Sequence, residues 1–203
     1  MIQPRSQSCN LILGSEGTGK TTLEFQIAIA TLDANPAKRV LFGVTDNSDK
    51  KIQMLPEITR EELSSFNGVK KIIIEDEEIF HDFTKLFASD EFQFDGLFIG
   101  DDLKEILTAR PKEVITMMTK RRHANLDILF CFHSLHCDTP KGFFGHINKI
   151  YLFRTSDAHE DFVKKLPMHK RESFMKAYDR VQRKSEKQQN YFEEIIINPL
   201  KRY

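Results

Sequence analysis

The sequence predicts an α/β fold, a three-layer sandwich in which helices cover both faces of a mainly parallel central sheet. Apolar runs of four to seven residues alternate along the chain with longer amphipathic stretches, which is typical of strands buried between helices. The chain has 203 residues, of which 40% are hydrophobic and 30% charged, enough for one packed core and a solvated surface. We therefore expect a single domain over residues 1–203, with its core at about 8–157 and a basic helix and final strand at 158–203.

The apolar runs predict the strands of this sheet, because their lengths fit strands that are covered on both faces. In chain order they are Cys9–Leu13, Val40–Val44, Val69–Ile74, Leu97–Gly100, Ile128–Phe132, Lys149–Phe153 and Tyr191–Ile197.

The amphipathic stretches between them predict the helices, and several carry start or stop signals. Thr59 and Glu62 have capping-box spacing, Pro111 suits a first helical position, and Asn35-Pro36 ends the first helix. The predicted helices are Lys20–Ala34, Thr59–Phe66, Glu77–Ala88, Leu103–Arg110, Pro111–Ala124, Ala158–Leu166 and Lys170–Lys187.

Composition excludes several classes of protein. The 30 basic and 30 acidic residues cancel, which argues against a chain that coats nucleic acid along its whole surface. No apolar run reaches the roughly 18 residues that cross a membrane, and residues 1–10 lack the apolar segment of a signal peptide. Three cysteines are too few for a disulfide scaffold. We expect an intracellular protein that is not secreted and has no transmembrane segment.

The neutral total conceals two segments of opposite charge. Residues 75–102 contain ten acidic residues and one lysine, a net charge of −9. Residues 164–187 contain nine basic and three acidic residues, a net charge of +6. Such segregation indicates that the two segments have different binding partners.

The strongest motif is a complete phosphate-binding loop, Gly14-Ser15-Glu16-Gly17-Thr18-Gly19-Lys20-Thr21, which fits G-x-x-x-x-G-K-[ST]. An apolar strand precedes it and an apolar helix follows, as the motif requires. Glycines let the backbone N–H groups surround a phosphate, and the helix N-terminus adds partial positive charge. We expect the run from Gly14 to Thr22 to bind the nucleotide, with Lys20 on the β- and γ-phosphates and the Thr21 hydroxyl on Mg²⁺.

Two strand ends offer the acids that a nucleotide-hydrolysing site needs to hold Mg²⁺ and orient water. One is Glu75-Asp76 and the other is Asp101-Asp102. The second pair is favoured because the order of elements around it is that of a central strand, whose carboxyl end faces the ligand. Asp101 is then the Mg²⁺-associated carboxylate and Asp102 the water-orienting one. The alternative is that both acids cap the helix predicted to begin at Leu103.

The sequence lacks the signatures of two other classes of nucleotide hydrolase. It has no Asn-Lys-x-Asp segment to read guanine, as in GTPases, and no LSGGQ-like run, as in ABC ATPases. The order of phosphate loop, Asp101-Asp102, Arg121–Leu135, Pro140 and Lys149–Phe153 resembles the FtsK–HerA superfamily of P-loop ATPases. In length and layout the chain is similar to the short viral genome-packaging ATPases and to the Zot-like proteins of filamentous phages. The resemblance covers residues 10–157 or thereabouts.

The resemblance implies a RecA-like, additional-strand P-loop NTPase fold. It also implies an ATPase that uses ATP and Mg²⁺, assembles as a ring, usually a hexamer, and moves double-stranded DNA through the centre. The implied partners are double-stranded DNA and other copies of the chain, and proteins of the capsid vertex or virion membrane are further candidates. The resemblance implies no small-molecule substrate besides ATP. The implied location is the host cytoplasm or the virion.

Four site residues carry over from the resemblance to this sequence. Lys20 and Thr21 match the phosphate-loop pair, and Asp101 and Asp102 match the two-acid motif. Two positions depart from the family pattern. Asp102 stands where glutamate is usual and is one methylene shorter, and Gly100 replaces a bulky apolar residue before the acids.

Two more residues are assigned by the same resemblance. His133, at the end of the strand next to the phosphate-loop strand, matches the polar sensor of the γ-phosphate. Arg121-Arg122 lies where the family tends to carry an arginine finger for the neighbouring subunit, and Arg122 is the preferred one. A planar guanidinium suits stabilisation of a transferring phosphoryl group. A solvated helix end is the competing explanation for this pair.

Two function classes besides the DNA motor stay open. One is a P-loop kinase that acts on a nucleotide or small molecule. The other is a nucleotide-dependent phage morphogenesis or scaffold protein that does not hydrolyse its ligand.

Two further groups of residues have both a functional and a structural interpretation. Cys131, His133, His136 and Cys137 could ligate a metal, although zinc ligands normally come in two separated pairs. The basic residues in 164–187 suit contacts to DNA phosphates, which require charge and no sequence. A solvated amphipathic helix explains the same pattern.

Overall fold

The computed structural model describes residues 7–45, 49–74, 77–89, 92–103, 108–136 and 139–199. Seven strands in these residues form one sheet, in the order β3-β2-β4-β5-β1-β6-β7. Adjacent strands run parallel except β7, which pairs antiparallel with β6. The strands are β1 Cys9–Leu13, β2 Arg39–Val44, β3 Gly68–Ile73, β4 Gly96–Asp101, β5 Leu126–Phe132, β6 Lys149–Phe153 and β7 Phe192–Ile196.

Helices cover both faces of the sheet, so the predicted three-layer α/β sandwich is confirmed. One layer contains α1 and α2, whose Leu23, Ala28 and Ile52 pack on one face. Residues of the remaining helices join the core on the opposite face. The helices are α1 Lys20–Ala34, α2 Lys50–Gln53, α3 Glu77–Ala88, α4 Pro111–Lys120, α5 Phe143–His146, α6 Glu160–Lys165 and α7 Met168–Ser185. Among the described residues, no helix combines the length and apolarity that a membrane crossing demands.

The prediction of an α-helix over Thr59–Phe66 is wrong, because only Glu61–Ser64 is helical and it forms a 3₁₀ turn. The capping interaction that motivated the prediction is real, since the Thr59 amide donates to Glu62 Oε2 at 2.8 Å. The following bonds span three residues, as in Leu63 N to Arg60 O at 3.2 Å. An N-cap that is followed by so few helical residues produces a 3₁₀ turn and not a stable α-helix.

Helix α4 begins at Pro111 as predicted but ends at Lys120 rather than Ala124. The guanidinium of Arg121 donates to the Met118 carbonyl in the last turn, which supplies a partner for a helix-end acceptor. Asn125 then adopts a φ of 50° and turns the chain into β5. Of the helix predicted over Leu103–Arg110, residues 104–107 lie outside the described residues; Leu103 and Arg110 are not helical, and Thr108 and Ala109 are.

The sheet order brings three carboxyl strand ends together. β5 lies between β1 and β4, so one additional strand separates the phosphate-loop strand from the strand that ends in Asp101. This is the arrangement that the resemblance implied. The residues that follow β1, β4 and β5 therefore share one edge of the sheet, where ligands bind in open α/β folds.

Candidate nucleotide-binding site

The phosphate loop connects β1 to α1 and is held by the ends of the neighbouring strands. The Gly14 amide donates to Phe132 O at 3.3 Å, and the Ser15 amide donates to Arg154 O at 2.9 Å. A Cβ on Gly14 would lie 2.6 Å from Phe153 Cβ, closer than carbon atoms can approach. Glycine is therefore required here for the loop to leave β1 beside β6.

Lys20 begins helix α1 and lies inside the loop with only 4% of its surface exposed. Its Nζ donates to Ser15 O at 2.8 Å, and Thr18 Oγ1 donates to the same carbonyl at 2.8 Å. Gly19 precedes the helix with a φ of 98°, a left-handed conformation that favours glycine. The result is a loop that curves around an ammonium group at a helix N-terminus, which is a site for anions such as phosphate.

Asp101 ends β4 and is mostly buried, with 14% of its side chain exposed. Burial raises the pKa of its carboxyl, the nearby His133 opposes that shift, and Asp102 adds to it. Asp102 itself is exposed and has a φ of 53°. An N-cap residue has an extended backbone, so Asp102 lacks the conformation required by the capping alternative. Both carboxylates line the same cleft as Lys20.

His133 follows β5 and faces the same cleft. Its Nε2 lies 3.9 Å from Asp101 Oδ1. Its Nδ1 is buried and has no hydrogen-bond partner among the residues that the structure describes. The imidazole thus lies next to the acid that ends β4, with its unpartnered Nδ1 closed off from solvent.

Glu24 is a buried acid in this region that the sequence analysis missed. It lies on α1 one turn after Thr21 and is 0% exposed. Neither carboxyl oxygen has a hydrogen-bond partner within the described part of the chain. Burial, and next the charge of Asp101, raise its pKa to about 8. The sequence did contain a signal for this buried acid, since Glu24 lies three residues after Thr21 in a helix that is otherwise mainly apolar.

The cleft at this edge of the sheet has a volume of about 550 Å³. It contains residues of the phosphate loop together with Thr21, Thr22, Asp101, Asp102 and His133. Of the predicted site residues, Arg122 lies away from this cleft, and the loop residues Gly14, Ser15 and Thr18 do not line it. Three residues that the sequence analysis did not single out also line the cleft: Asp49, Lys51 and Asn190.

Lys51 reaches the cleft because of the short helix α2, which the sequence analysis did not predict. The Asp49 carboxylate caps this helix by accepting a bond from the Lys51 amide at 2.8 Å. Lys51 Nζ then donates to Thr22 Oγ1 at 2.9 Å. The spacing Asp49-x-Lys51 was the only local sequence signal for this helix, and it did not predict that the Lys51 side chain would lie near Thr22.

The two arginines before β5 have different environments. Arg121 is 6% exposed and donates to Gln7 O at 3.1 Å, so its role is structural. Arg122 is exposed, and its side chain has no partner among the described residues. It lies before the start of β5, a strand of seven residues whose other end faces the cleft. At roughly 3.3 Å per residue, about 20 Å separates Arg122 from the cleft of its own subunit.

Cys131, one of the four residues considered as ligands of a Cys–His metal site, lies beside acidic residues that the sequence did not suggest as its neighbours. Cys137 lies outside the described residues. Cys131 is buried, and its Sγ lies beside carboxylate oxygens of Glu24 and Asp101, all three atoms within 4.8 Å of one another. Among the described residues, the acidic neighbours of the Cys131 thiol therefore come from α1 and β4.

The basic C-terminal stretch, residues 164–187, includes the end of α6 and all of α7, and many of its charges have partners within the chain. Lys164 pairs with Asp161 at 2.8 Å, and Lys176 pairs with Glu172 at 2.6 Å. Arg180 makes two bonds to Glu193, at 3.1 and 3.0 Å. These contacts favour the interpretation of a solvated amphipathic helix over that of a surface reserved for DNA.

Compared by sequence, the chain matches neither a protein-family model nor a curated protein. Compared by structure, it matches the genome packaging NTPase B204 from Sulfolobus turreted icosahedral virus 2 in complex with AMP, with a TM-score of 0.66 and 14% identity over 94% of this chain and 93% of that one. B204 from Sulfolobus turreted icosahedral virus, described as a DNA-packaging ATPase, matches with a TM-score of 0.63 and 14% identity over 96% and 98%.

A more distant match is the cytoplasmic domain of the Type VII secretion ATPase EccC from Thermomonospora curvata. Its TM-score is 0.50 with 16% identity, over 75% of this chain and 21% of that one. At such identities a likeness establishes the fold, and the coverage by B204 extends to almost the full length of both chains. The chain therefore has the same α/β fold as the viral packaging NTPase B204, with a mainly parallel sheet and a phosphate loop, as the sequence predicted.

Proposed function

We propose that this protein is an ATP-hydrolysing motor that translocates or packages double-stranded DNA and acts as a ring of identical subunits. One observation carries the proposal: residues of the phosphate loop, the two strand-end acids Asp101 and Asp102, and His133 line a single cleft. The groups needed to bind and cleave a nucleoside triphosphate are thus present in one place.

The geometry supports a distinct role for each group. Lys20 replaces its bond to Ser15 O with bonds to the β- and γ-phosphates, which neutralises charge that develops during transfer. Asp102, exposed at the mouth of the cleft, orients the attacking water. His133, which lines the cleft next to Asp101, detects whether the γ-phosphate is present.

The residues present fit a magnesium ion. Thr21 offers a hydroxyl and Asp101 a carboxylate beside the phosphate loop, and Mg²⁺ prefers oxygen ligands together with substrate phosphates. Bound there, Mg²⁺ would screen the charge of the phosphates. A cation would also offset the burial that raises the pKa of Asp101.

Coupling to DNA and ring assembly rest on the likeness to viral packaging ATPases and on the position of Arg122. The partners proposed are double-stranded DNA, further copies of the chain and proteins of a capsid vertex or virion. The internal ion pairs of α7 weaken the case for that helix as the main DNA contact. We therefore expect the cationic side chains that contact DNA to lie on other surfaces of the assembled ring.

The decisive experiment measures phosphate release from ATP with and without double-stranded DNA, together with the mass of the assembly. The proposal expects release that DNA accelerates, in a ring of several subunits. Transfer of phosphate to a nucleotide or small-molecule acceptor without an effect of DNA would instead indicate a kinase. Nucleotide that binds but is never hydrolysed, even with DNA present, would indicate a scaffold.

Arg122 gives a test of the ring that is independent of DNA. Because about 20 Å separates Arg122 from its own cleft, we propose that it acts in the site of the adjacent subunit. In a ring whose sites act in concert, Arg122→Ala subunits mixed equally with wild-type ones should lower the ATPase rate well below half of the wild-type value. The rate is measured at constant total protein across a range of mixing ratios.

Lys112→Ala is the matched control, since it removes another exposed cation from the neighbouring helix α4. Mixtures with this variant should keep the wild-type rate. Strict additivity in the Arg122→Ala mixtures would contradict a ring whose sites depend on one another through Arg122.

A further inference from the structure

The turn between α7 and β7 contacts the phosphate loop, although about 170 residues of chain separate them. Gln189 Nε2 donates to Gly17 O at 3.2 Å. Asn190 lies against Gly19, so closely that a Cβ on this glycine would be 2.9 Å from Asn190 Oδ1. Both residues that follow the basic helix therefore meet the backbone of the loop that holds phosphate.

Asn190 is also part of the wall of the cleft. Its side chain is exposed, and its amide has no hydrogen-bond partner among the described residues. An amide offers both a donor and an acceptor. The neighbouring Gln189 uses its side chain to hold the turn on the loop, which leaves Asn190 available to a ligand.

The order of the strands defines which part of a nucleotide Asn190 would meet. Asp101 and His133 follow β4 and β5, which lie on one side of the phosphate-loop strand β1. Asn190 precedes β7, which lies beyond β6 on the other side of β1. The acids and the sensor mark the end of the cleft where the γ-phosphate is cleaved, so Asn190 marks the opposite end.

We propose that Asn190 hydrogen-bonds the nucleoside of the bound nucleotide, at the ribose or base, and that Gln189 positions it. This inference rests on the proposed function, because it takes a nucleoside triphosphate as the ligand. It adds a binding contact that the phosphate-loop motif does not contain and that comes from the C-terminal part of the chain.

The test compares the affinity of ATP with that of inorganic tripolyphosphate, which has the phosphates but no nucleoside. Loss of one neutral hydrogen bond weakens binding about three- to tenfold. Asn190→Ala should therefore raise the Kd of ATP by about that factor and leave the Kd of tripolyphosphate unchanged. Both constants are measured by calorimetry on the full chain, with thermal unfolding as a check that the variant is folded.

Gln188→Ala is the matched control, because it removes an exposed amide from the same turn and should change neither constant. An unchanged Kd for ATP in Asn190→Ala would overturn the inference, as would equal weakening of both ligands. Failure of the wild-type protein to bind ATP at all would count against the proposed function instead. The two outcomes are therefore distinguishable.

Discussion

Replacing Lys20 with alanine should lower ATP hydrolysis at least about a hundredfold while the protein remains folded. Lys20 is buried in the phosphate loop and donates to Ser15 O, so its ammonium lies where a phosphate would enter. Without it, the charge that accumulates on the transferring phosphoryl group loses its nearest cation. The hydrolysis rate is measured by phosphate release at saturating ATP, and the fold is checked by circular dichroism.

The control for this variant is Lys50→Ala, which removes an exposed lysine next to the cleft-lining Lys51. Its rate should stay within about twofold of wild type, since surface substitutions of this kind have small effects. Undiminished hydrolysis in Lys20→Ala would contradict the assignment of the phosphate loop. Equal loss in both variants would point to general damage near the cleft.

The phosphate loop and the acids were predictable because each is local in sequence. The boundaries of β1, β6, α1 and α3 agree with the prediction to the residue, and each is a strongly patterned run with a turn signal beside it. The order of elements favoured Asp101-Asp102 over Glu75-Asp76, because it marked the strand that ends at Asp101 as a central one. Glu75-Asp76 lies outside the described residues.

Other parts of the site were not predictable because they depend on contacts between distant segments. Asn190 reaches Gly19 only because β7 returns antiparallel beside β6. Lys51 reaches Thr22 through a helix of four residues, too short to produce a periodic pattern. Glu24 was visible as an acid in an apolar helix, but its burial beside Asp101 and Cys131 follows from the register of β4 with β5, in which Asp101 pairs with Cys131.

The burial of Glu24 should make the metal-free protein less stable as the pH rises from about 5 to 8. Its pKa is about 8 in the folded protein against an ordinary 4.5, so between these values the folded state keeps a proton that the unfolded state has released. Stability from this group is therefore complete below pH 4.5 and declines until the pH passes 8. At about 1.4 kcal/mol per pKa unit, the decline approaches 4 kcal/mol.

Glu24→Gln should remove most of this decline, because glutamine stays neutral throughout the range. We expect the variant to be more stable than wild type at pH 8, with the difference shrinking toward pH 5. Urea unfolding of both proteins at several pH values, with EDTA and no nucleotide, measures it. Taking the difference between the two proteins cancels the contribution of other groups, such as His146, whose pKa is lowered by burial.

Glu172→Gln is the matched control, since Glu172 is exposed and its pKa is lowered by the bond with Lys176. That variant should retain the wild-type decline between pH 5 and 8. If Glu24→Gln retained it too, the carboxyl of Glu24 could not be the buried acid that resists ionisation. Asp101→Asn would then be the next variant to examine, because Asp101 is the other mostly buried carboxyl of the cleft and its pKa is raised by the same burial.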